Sequence, residues 1–157
     1  MANEMRWRYG DTNPVMLPVD SATVIEIGDL IFFDTDDAKP ASLQVDQGTE
    51  AINQEVFHDK FAGVAMQCSA AGETAAIRVA TTGVFEFGCP AATYQVGDML
   101  GPAENSGGTA LEDQVLDKVL SPSSAVGRCA KQVNPAGTRV HVDVVSSLLK
   151  GGAQAVA

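Results

Sequence analysis

Residues 25–31 read IEIGDLI and residues 94–100 read YQVGDML, so one short pattern occurs twice in the chain. In each copy a run of β-forming residues precedes a Gly-Asp pair, and a second apolar run follows it. The Gly-Asp dipeptide favours tight turns. Each copy therefore predicts a strand, a turn and a strand, with the turns at Gly28-Asp29 and Gly97-Asp98.

The repeat extends outward from these two stretches. Residues 61–65 have a counterpart in residues 125–129, and residues 71–74 have one in residues 136–138. The last pair predicts two further structural turns, at Gly72 and Gly137. Two copies are too few for a solenoid, and amphipathic strands in each half must bury one face. We therefore expect a mainly β fold, a small pseudo-symmetric β-barrel or sandwich with at most one or two short helices.

Composition limits the function. The chain has 157 residues, of which 45% are apolar and 19% are charged, as in one ordinary domain. Twenty acidic and ten basic residues give a formal net charge of −10, which repels nucleic acid and anionic lipid. We expect neither partner, and no classical export signal. The predicted division is an extended N-terminal arm (1–22), a β-barrel domain (23–149) and a flexible tail (150–157).

Local patterns predict the remaining elements. Thr49 is placed to cap a short helix that runs to Phe61. The acidic, proline-containing stretch 34–50 predicts a surface loop. The predicted strands are residues 24–27, 30–33, 63–66, 76–80 and 83–87, with a hairpin turn at 71–74. Residues 109–120 are compatible with a capped helix or with a strand at 115–120, and we favour the strand.

No catalytic, metal or cofactor site is predicted. Asp34, Asp36 and Asp37 resemble the start of a calcium loop, but the glycine and glutamate that such a loop needs further on are absent. We interpret them as a solvated acidic loop. His58 lies beside Asp59 with no second ligand at helical spacing, and His141 lies in an alternating strand.

The three cysteines, Cys68, Cys89 and Cys129, show no C-x-x-C spacing and no disulfide framework. We expect reduced thiols. Walker, dinucleotide-binding and nucleophile-elbow motifs are also absent from the sequence, so we expect no enzyme.

The N-terminal arm contains an unusual cluster. Arg6, Trp7, Arg8 and Tyr9 combine two of the ten cations with the only tryptophan, in a segment too polar to form its own core. Aromatic residues and arginine are enriched at binding hot spots. We therefore predict that these four residues anchor the arm on a partner surface.

A series of short motifs runs along the chain: 8–11 (RYGD), 63–65 (GVA), 71–74 (AGET), 79–85 (VATTGVF), 96–98 (VGD), 127–130 (GRCA) and 140–142 (VHV). The order and spacing of these motifs resemble those of the phage head-decoration, or capsid cement, proteins. Cys129 departs from the small aliphatic residue expected there. The resemblance implies a non-enzymatic virion protein, made in the host cytoplasm, that forms a homotrimer on the outer capsid surface. Its partner would be the major capsid protein, whose subunits it would bridge.

Two alternatives stay open. One is a β-barrel module that binds a glycan or another small molecule, which would require exposed aromatic residues, whereas the phenylalanines lie in apolar runs typical of a core. The other is a trimeric β-barrel hydrolase of nucleotides, which would require clustered acidic residues around a divalent ion.

Overall fold

The computed structural model describes residues 3–150, so the predicted tail at 150–157 lies outside them except for Lys150. The described chain is mainly β, which confirms the predicted class, with one α-helix and 3₁₀ turns at Ala41–Leu43 and Pro122–Ser124. The helix α1 spans Glu50–Lys60. The strands are β1 (Trp7–Tyr9), β2 (Val15–Leu17), β3 (Leu30–Asp34), β4 (Asp37–Pro40), β5 (Phe61–Ala65), β6 (Ile77–Ala80), β7 (Thr82–Tyr94), β8 (Met99–Glu104), β9 (Leu111–Lys118), β10 (Gly127–Cys129) and β11 (Val133–Val145).

The strands form two sheets. The first sheet has the order β2-β6-β5-β3-β4, and the second has the order β1-β7-β11-β10-β8-β9. In the second sheet β7 also pairs with β9, in parallel, through Gly88 and Val115. This contact closes β7, β11, β10, β8 and β9 into a five-stranded barrel and leaves β1 outside it, at the edge.

The two sheets repeat one another. The neighbours β4-β3-β5-β6 of the first sheet correspond to β9-β8-β10-β11 of the second, with the same antiparallel pairings. The first sheet is also joined across its open side, because the Ala38 amide of β4 donates to the Pro18 carbonyl just after β2, at 2.9 Å. The sequence repeat therefore corresponds to a repeat of strand order.

Backbone hydrogen bonds show why the glycines of the two Gly-Asp pairs recur. The Gly28 amide donates to the Ala65 carbonyl and the Gly97 amide to the Cys129 carbonyl, both at 2.9 Å. Both glycines have left-handed backbone, with φ of +98° and +94°, which L-residues with side chains rarely adopt. Each turn thus directs the following strand alongside its partner. Gly72 also lies in a turn, with φ of +90°.

The helix and most strands are where the sequence predicts them. The Thr49 side chain accepts a hydrogen bond from the Ile52 amide, which confirms the predicted cap and helix. The 63–66 and 76–80 hairpin is also confirmed, because β5 pairs with β6. Residues 115–120 largely coincide with β9.

Three predictions were wrong. Residues 24–27 do not form a strand, and only Ile25 makes an isolated bridge, to Ser69. The predicted loop 34–50 contains β4 and a 3₁₀ turn, because β3 offers an unpaired edge to the chain that folds back from it. Gly137 is not in a turn but within β11, paired with Ala92 where the register shifts.

One core joins the two sheets. It includes Phe32 and Val64 of the first sheet, Phe85 and Val142 of the second, and Phe57 of α1, all almost fully buried. A second core lies within the first sheet and includes Ile31, Ile77 and Val79. Within residues 3–150 no helix is long and apolar enough to cross a membrane.

Candidate protein-docking surface

Strand β1 exposes all three of its side chains. Trp7 is 41% exposed and Tyr9 53%, and Met5, just before the strand, is 45% exposed. A register irregularity lies between Trp7 and Tyr9 where they pair with β7, and such bulges re-aim side chains. We call these three exposed residues, Met5, Trp7 and Tyr9, the aromatic stripe, after the two aromatic residues among them.

The aromatic stripe lies at an end of the second sheet, since β1 is its terminal strand. The Trp7 indole Nε1 donates to the Gly10 carbonyl at 3.0 Å, so its polar atom is satisfied while the ring stays accessible. Tryptophan and tyrosine are enriched at protein-binding sites, and both are accessible here. The stripe can therefore bury apolar surface against a partner without any change in the fold.

Arg6, predicted as a partner contact, lies inside the molecule and is only 7% exposed. Its Nε and Nη2 donate to Gln114 Oε1 of β9 at 3.1 and 2.8 Å, and its Nη1 donates to the Glu86 carbonyl at 3.0 Å. The guanidinium lies 5.6 Å from the centre of the Phe87 ring. Arg6 therefore attaches β1 to the barrel, and only Trp7, Arg8 and Tyr9 of the predicted set can reach a partner.

The buried polar network continues to the first Gly-Asp turn. Gln114 Nε2 donates to Asp29 Oδ1 at 2.7 Å. Burial lowers the pKa of Arg6 and raises the pKa of Asp29 to about 6. This network joins β1, β9 and the turn before β3, so it couples the N-terminal segment to both sheets.

A second charged group surrounds Glu86 of β7. Its carboxylate lies 3.0 Å from Arg8 Nη2, 3.2 Å from His141 Nε2 and 3.7 Å from Arg139 Nη1. Burial alone would raise the pKa of Glu86, but the hydrogen bonds from Arg8 and His141 outweigh it, and the pKa is lowered. Glu86 is therefore held as a carboxylate beside the aromatic stripe.

The acidic loop is used within the first sheet. Asp34 Oδ2 accepts a hydrogen bond from Lys39 Nζ at 2.9 Å, and Asp34 pairs with Asp37 where β3 turns into β4. Among residues 3–150, no group of three or more His, Cys, Asp or Glu side chains is arranged to hold a metal ion. His58 Nδ1 contacts the Ala125 carbonyl at 2.7 Å, whereas His141 Nε2 contacts Glu86 Oε1. The two histidines therefore have different partners.

All three cysteines are free. Cys68 is exposed, and Cys89 and Cys129 are buried. Burial raises the pKa of both buried thiols, so they are protonated near neutral pH and poor nucleophiles.

Gln114, which connects Arg6 to Asp29, could not be identified from the sequence. It lies in a mixed polar and apolar strand, 108 residues from Arg6 and 85 residues from Asp29. The only local signal is its place between the apolar residues Leu111 and Val115, which does not distinguish a buried glutamine from an exposed one.

The fold and the surface together describe a mainly β protein of two repeated sheets, with an exposed aromatic edge strand next to a cluster of charged residues. No family model matches the chain. No curated protein matches it either. Among solved structures, the chain is similar to the head fiber gp8.5 N base of bacteriophage phi29, with 14% identity and a TM-score of 0.44. The match covers 88% of this chain and 99% of that chain.

Proposed function

We propose that this chain is a structural virion protein that decorates the outer surface of an icosahedral phage capsid. In this proposal it acts as a homotrimer, is not an enzyme, and stabilises the shell by bridging subunits of the major capsid protein. The order of its motifs, which resembles that of the head-decoration proteins, supports this assignment. The observation that carries the docking mode is the aromatic stripe on the outermost strand of the second sheet.

The N-terminal segment supports a defined mode of docking. The N-terminal segment contributes β1 to one sheet and β2 to the other, so residues 3–17 are part of the fold. Trp7 and Tyr9 would then bind from a rigid strand and lose little conformational entropy on docking. Many such contacts around a shell would add up through multivalency, even when each is weak.

The test is co-sedimentation of the protein with mature, undecorated capsids. We expect saturable binding at a fixed ratio to the capsid subunit. Replacing both aromatic residues (Trp7→Ala with Tyr9→Ala) should weaken binding at least about thirtyfold, because even one hot-spot aromatic residue contributes about 2 kcal/mol or more. Deletion of the arm would be a poor test, because it removes a strand from each sheet.

The matched control replaces apolar side chains elsewhere that are more exposed than those of Trp7 and Tyr9. Val45 is 76% exposed and Leu120 is fully exposed, and neither is near β1 in the sequence. Val45→Ala with Leu120→Ala should bind like the unaltered protein. Absence of any binding by the unaltered protein would refute capsid decoration, and equal loss in both double variants would refute the role of the stripe.

One observation favours a second function, a module that binds a small molecule. A cavity of about 350 Å³ lies beside β10 and the end of β11, lined by His58, Arg128 and Asp143 among others. Its volume is at the lower end of the range for ligand sites. Hits on a glycan array that are lost on Arg128→Ala would favour this function over capsid decoration.

A further inference from the structure

Positive charge is concentrated beside the aromatic stripe. The chain has ten lysines and arginines and two histidines against twenty acidic residues. Four of those cations and one histidine nonetheless lie around Glu4 and Glu86, as ion-pair partners or in the adjoining cavity: Arg6, Arg8, Lys131, Arg139 and His141. This small region is therefore basic in an otherwise acidic protein.

Three of these basic residues, Lys131, Arg139 and His141, line a cavity. It has a volume of about 300 Å³ and lies between β7 and the first half of β11. Glu86, Lys131, Arg139 and His141 contribute to its lining. Arg139 Nη1 lies 3.4 Å from Glu4 Oε1 and 3.7 Å from Glu86 Oε2, and its side chain is still 56% exposed. The guanidinium thus has donors that solvent, or a ligand, can reach.

We propose that this cavity binds a carboxylate side chain from an acidic segment of the docking partner. The proposal rests on the proposed function and names the chemistry of the partner at the same surface. Two glutamates face a larger number of basic groups, so one more carboxylate would bring the cluster closer to charge balance. Arginine can bind a carboxylate through two parallel hydrogen bonds, and the exposed Lys131 adds a point charge.

Continuity with the aromatic stripe identifies the partner as the source of the carboxylate. Arg8 belongs to β1, between Trp7 and Tyr9, and its guanidinium bonds to Glu86 in the cavity wall. A partner that covers the stripe would therefore also cover the basic cavity. Complementary charge at the margin of an interface mainly accelerates association and makes it sensitive to salt.

The first test measures carboxylate binding directly. Isotope-labelled protein is titrated with a ten-residue polyglutamate peptide, and the NMR signals of residues 131–141 are followed. We expect saturable shifts that the double variant Lys131→Gln with Arg139→Gln reduces at least fivefold. The control, Lys60→Gln with Arg78→Gln, makes the same change in net charge at exposed positions elsewhere and should behave like the unaltered protein.

Two results of this titration would overturn the carboxylate site. One is an equal response in the cavity variant (Lys131→Gln with Arg139→Gln) and the control variant (Lys60→Gln with Arg78→Gln), which would show a general charge effect. The other is an equal or stronger response to inorganic phosphate, which would show a site for any anion. Circular dichroism of each variant verifies that it is folded.

The second test uses capsids and separates this inference from the proposed function. The unaltered protein should bind, and the cavity variant should bind about tenfold more weakly with a smaller loss of affinity as salt increases. If the unaltered protein binds and the cavity variant is identical to it at every salt concentration, the carboxylate site is refuted and capsid decoration stands. If the variant instead changes only the oligomeric mass, the cavity binds a second copy of this chain and the inference is refuted.

Discussion

At the residue scale, the two Gly-Asp pairs show how one motif acquires different chemistry in different surroundings. Asp29 and Asp98 each accept a hydrogen bond from the amide three residues earlier, at 2.8 and 2.9 Å. Asp29 is almost fully buried, and burial raises its pKa to about 6. The pKa of the more exposed Asp98 is lowered by its backbone hydrogen bond and by Lys118.

This difference predicts opposite effects of pH. The folded pKa of Asp29 lies above the ordinary value of 3.8, so proton binding favours the folded state. The stabilisation of the folded state by proton binding at Asp29 is complete below a pH of about 4 and is lost as the pH rises through about 6. The free energy of unfolding of the unaltered protein, minus that of Asp29→Asn, should therefore fall by about 3 kcal/mol between pH 4 and pH 7.

Urea unfolding at several pH values measures this difference, and Asp98→Asn is the matched control. The folded pKa of Asp98 is below its ordinary value, so its stabilisation is present above that value and is lost as the pH falls. The corresponding difference for Asp98→Asn should rise with pH. The same trend for both variants would contradict the assigned environments.

The residues that could be predicted were those with a local requirement. Gly28 and Gly97 need left-handed backbone, and this requirement is visible in a two-residue pattern. The burial of Arg6 could not be predicted in the same way. It depends on a hydrogen bond to Gln114, which lies more than a hundred residues away in the sequence. A contact over that separation cannot be predicted from a local sequence pattern.

At the element scale, α1 was predictable because its cap and its apolar spacing are both local. Strand β4 was not, because Asp37 and Pro40 are poor strand formers. It forms because the hairpin places it at the end of the first sheet, and an edge strand tolerates a proline that cannot donate to a neighbour. Tertiary position outweighed local preference in this segment.

We predict that Arg6 holds β1 in place. Arg6→Met removes the donors to the buried Gln114 Oε1 and to the partly buried Glu86 carbonyl. The free energy of unfolding should drop by about 3 kcal/mol. The Glu86 amide, which donates to the Arg6 carbonyl across β1 and β7, should also exchange its hydrogen faster.

The control for this prediction is Arg8→Gln. Arg8 bonds to Glu86 at the surface, and exposed ion pairs contribute little, so its unfolding free energy should change by less than about 1 kcal/mol. If Arg6→Met is no more destabilising than Arg8→Gln, the buried network does not anchor the strand.

At the scale of the whole molecule, the repeat could be predicted from the sequence, but the structural difference between its two halves could not. Strand β7 continues to Tyr94, well beyond the predicted 83–87, because β11 pairs with it on both sides of Pro90. The proline marks a register shift, where a missing donor costs little. Strand β7 also pairs with β9 at Gly88, one residue beyond the predicted strand, and this contact closes the barrel in the second half.

Because the two sheets share one hydrophobic core, we predict that they unfold together. Apolar residues of both sheets and of α1 form one cluster, so neither half can retain a complete core when the other is lost. Trp7, the only tryptophan, reports on β1 at the edge of the second sheet, whereas far-ultraviolet circular dichroism reports on all strands. The two signals should give the same urea midpoint. A tryptophan transition at lower urea would mean that β1 detaches first, and Arg6 would then be too weak an anchor for the rigid docking strand on which capsid binding depends.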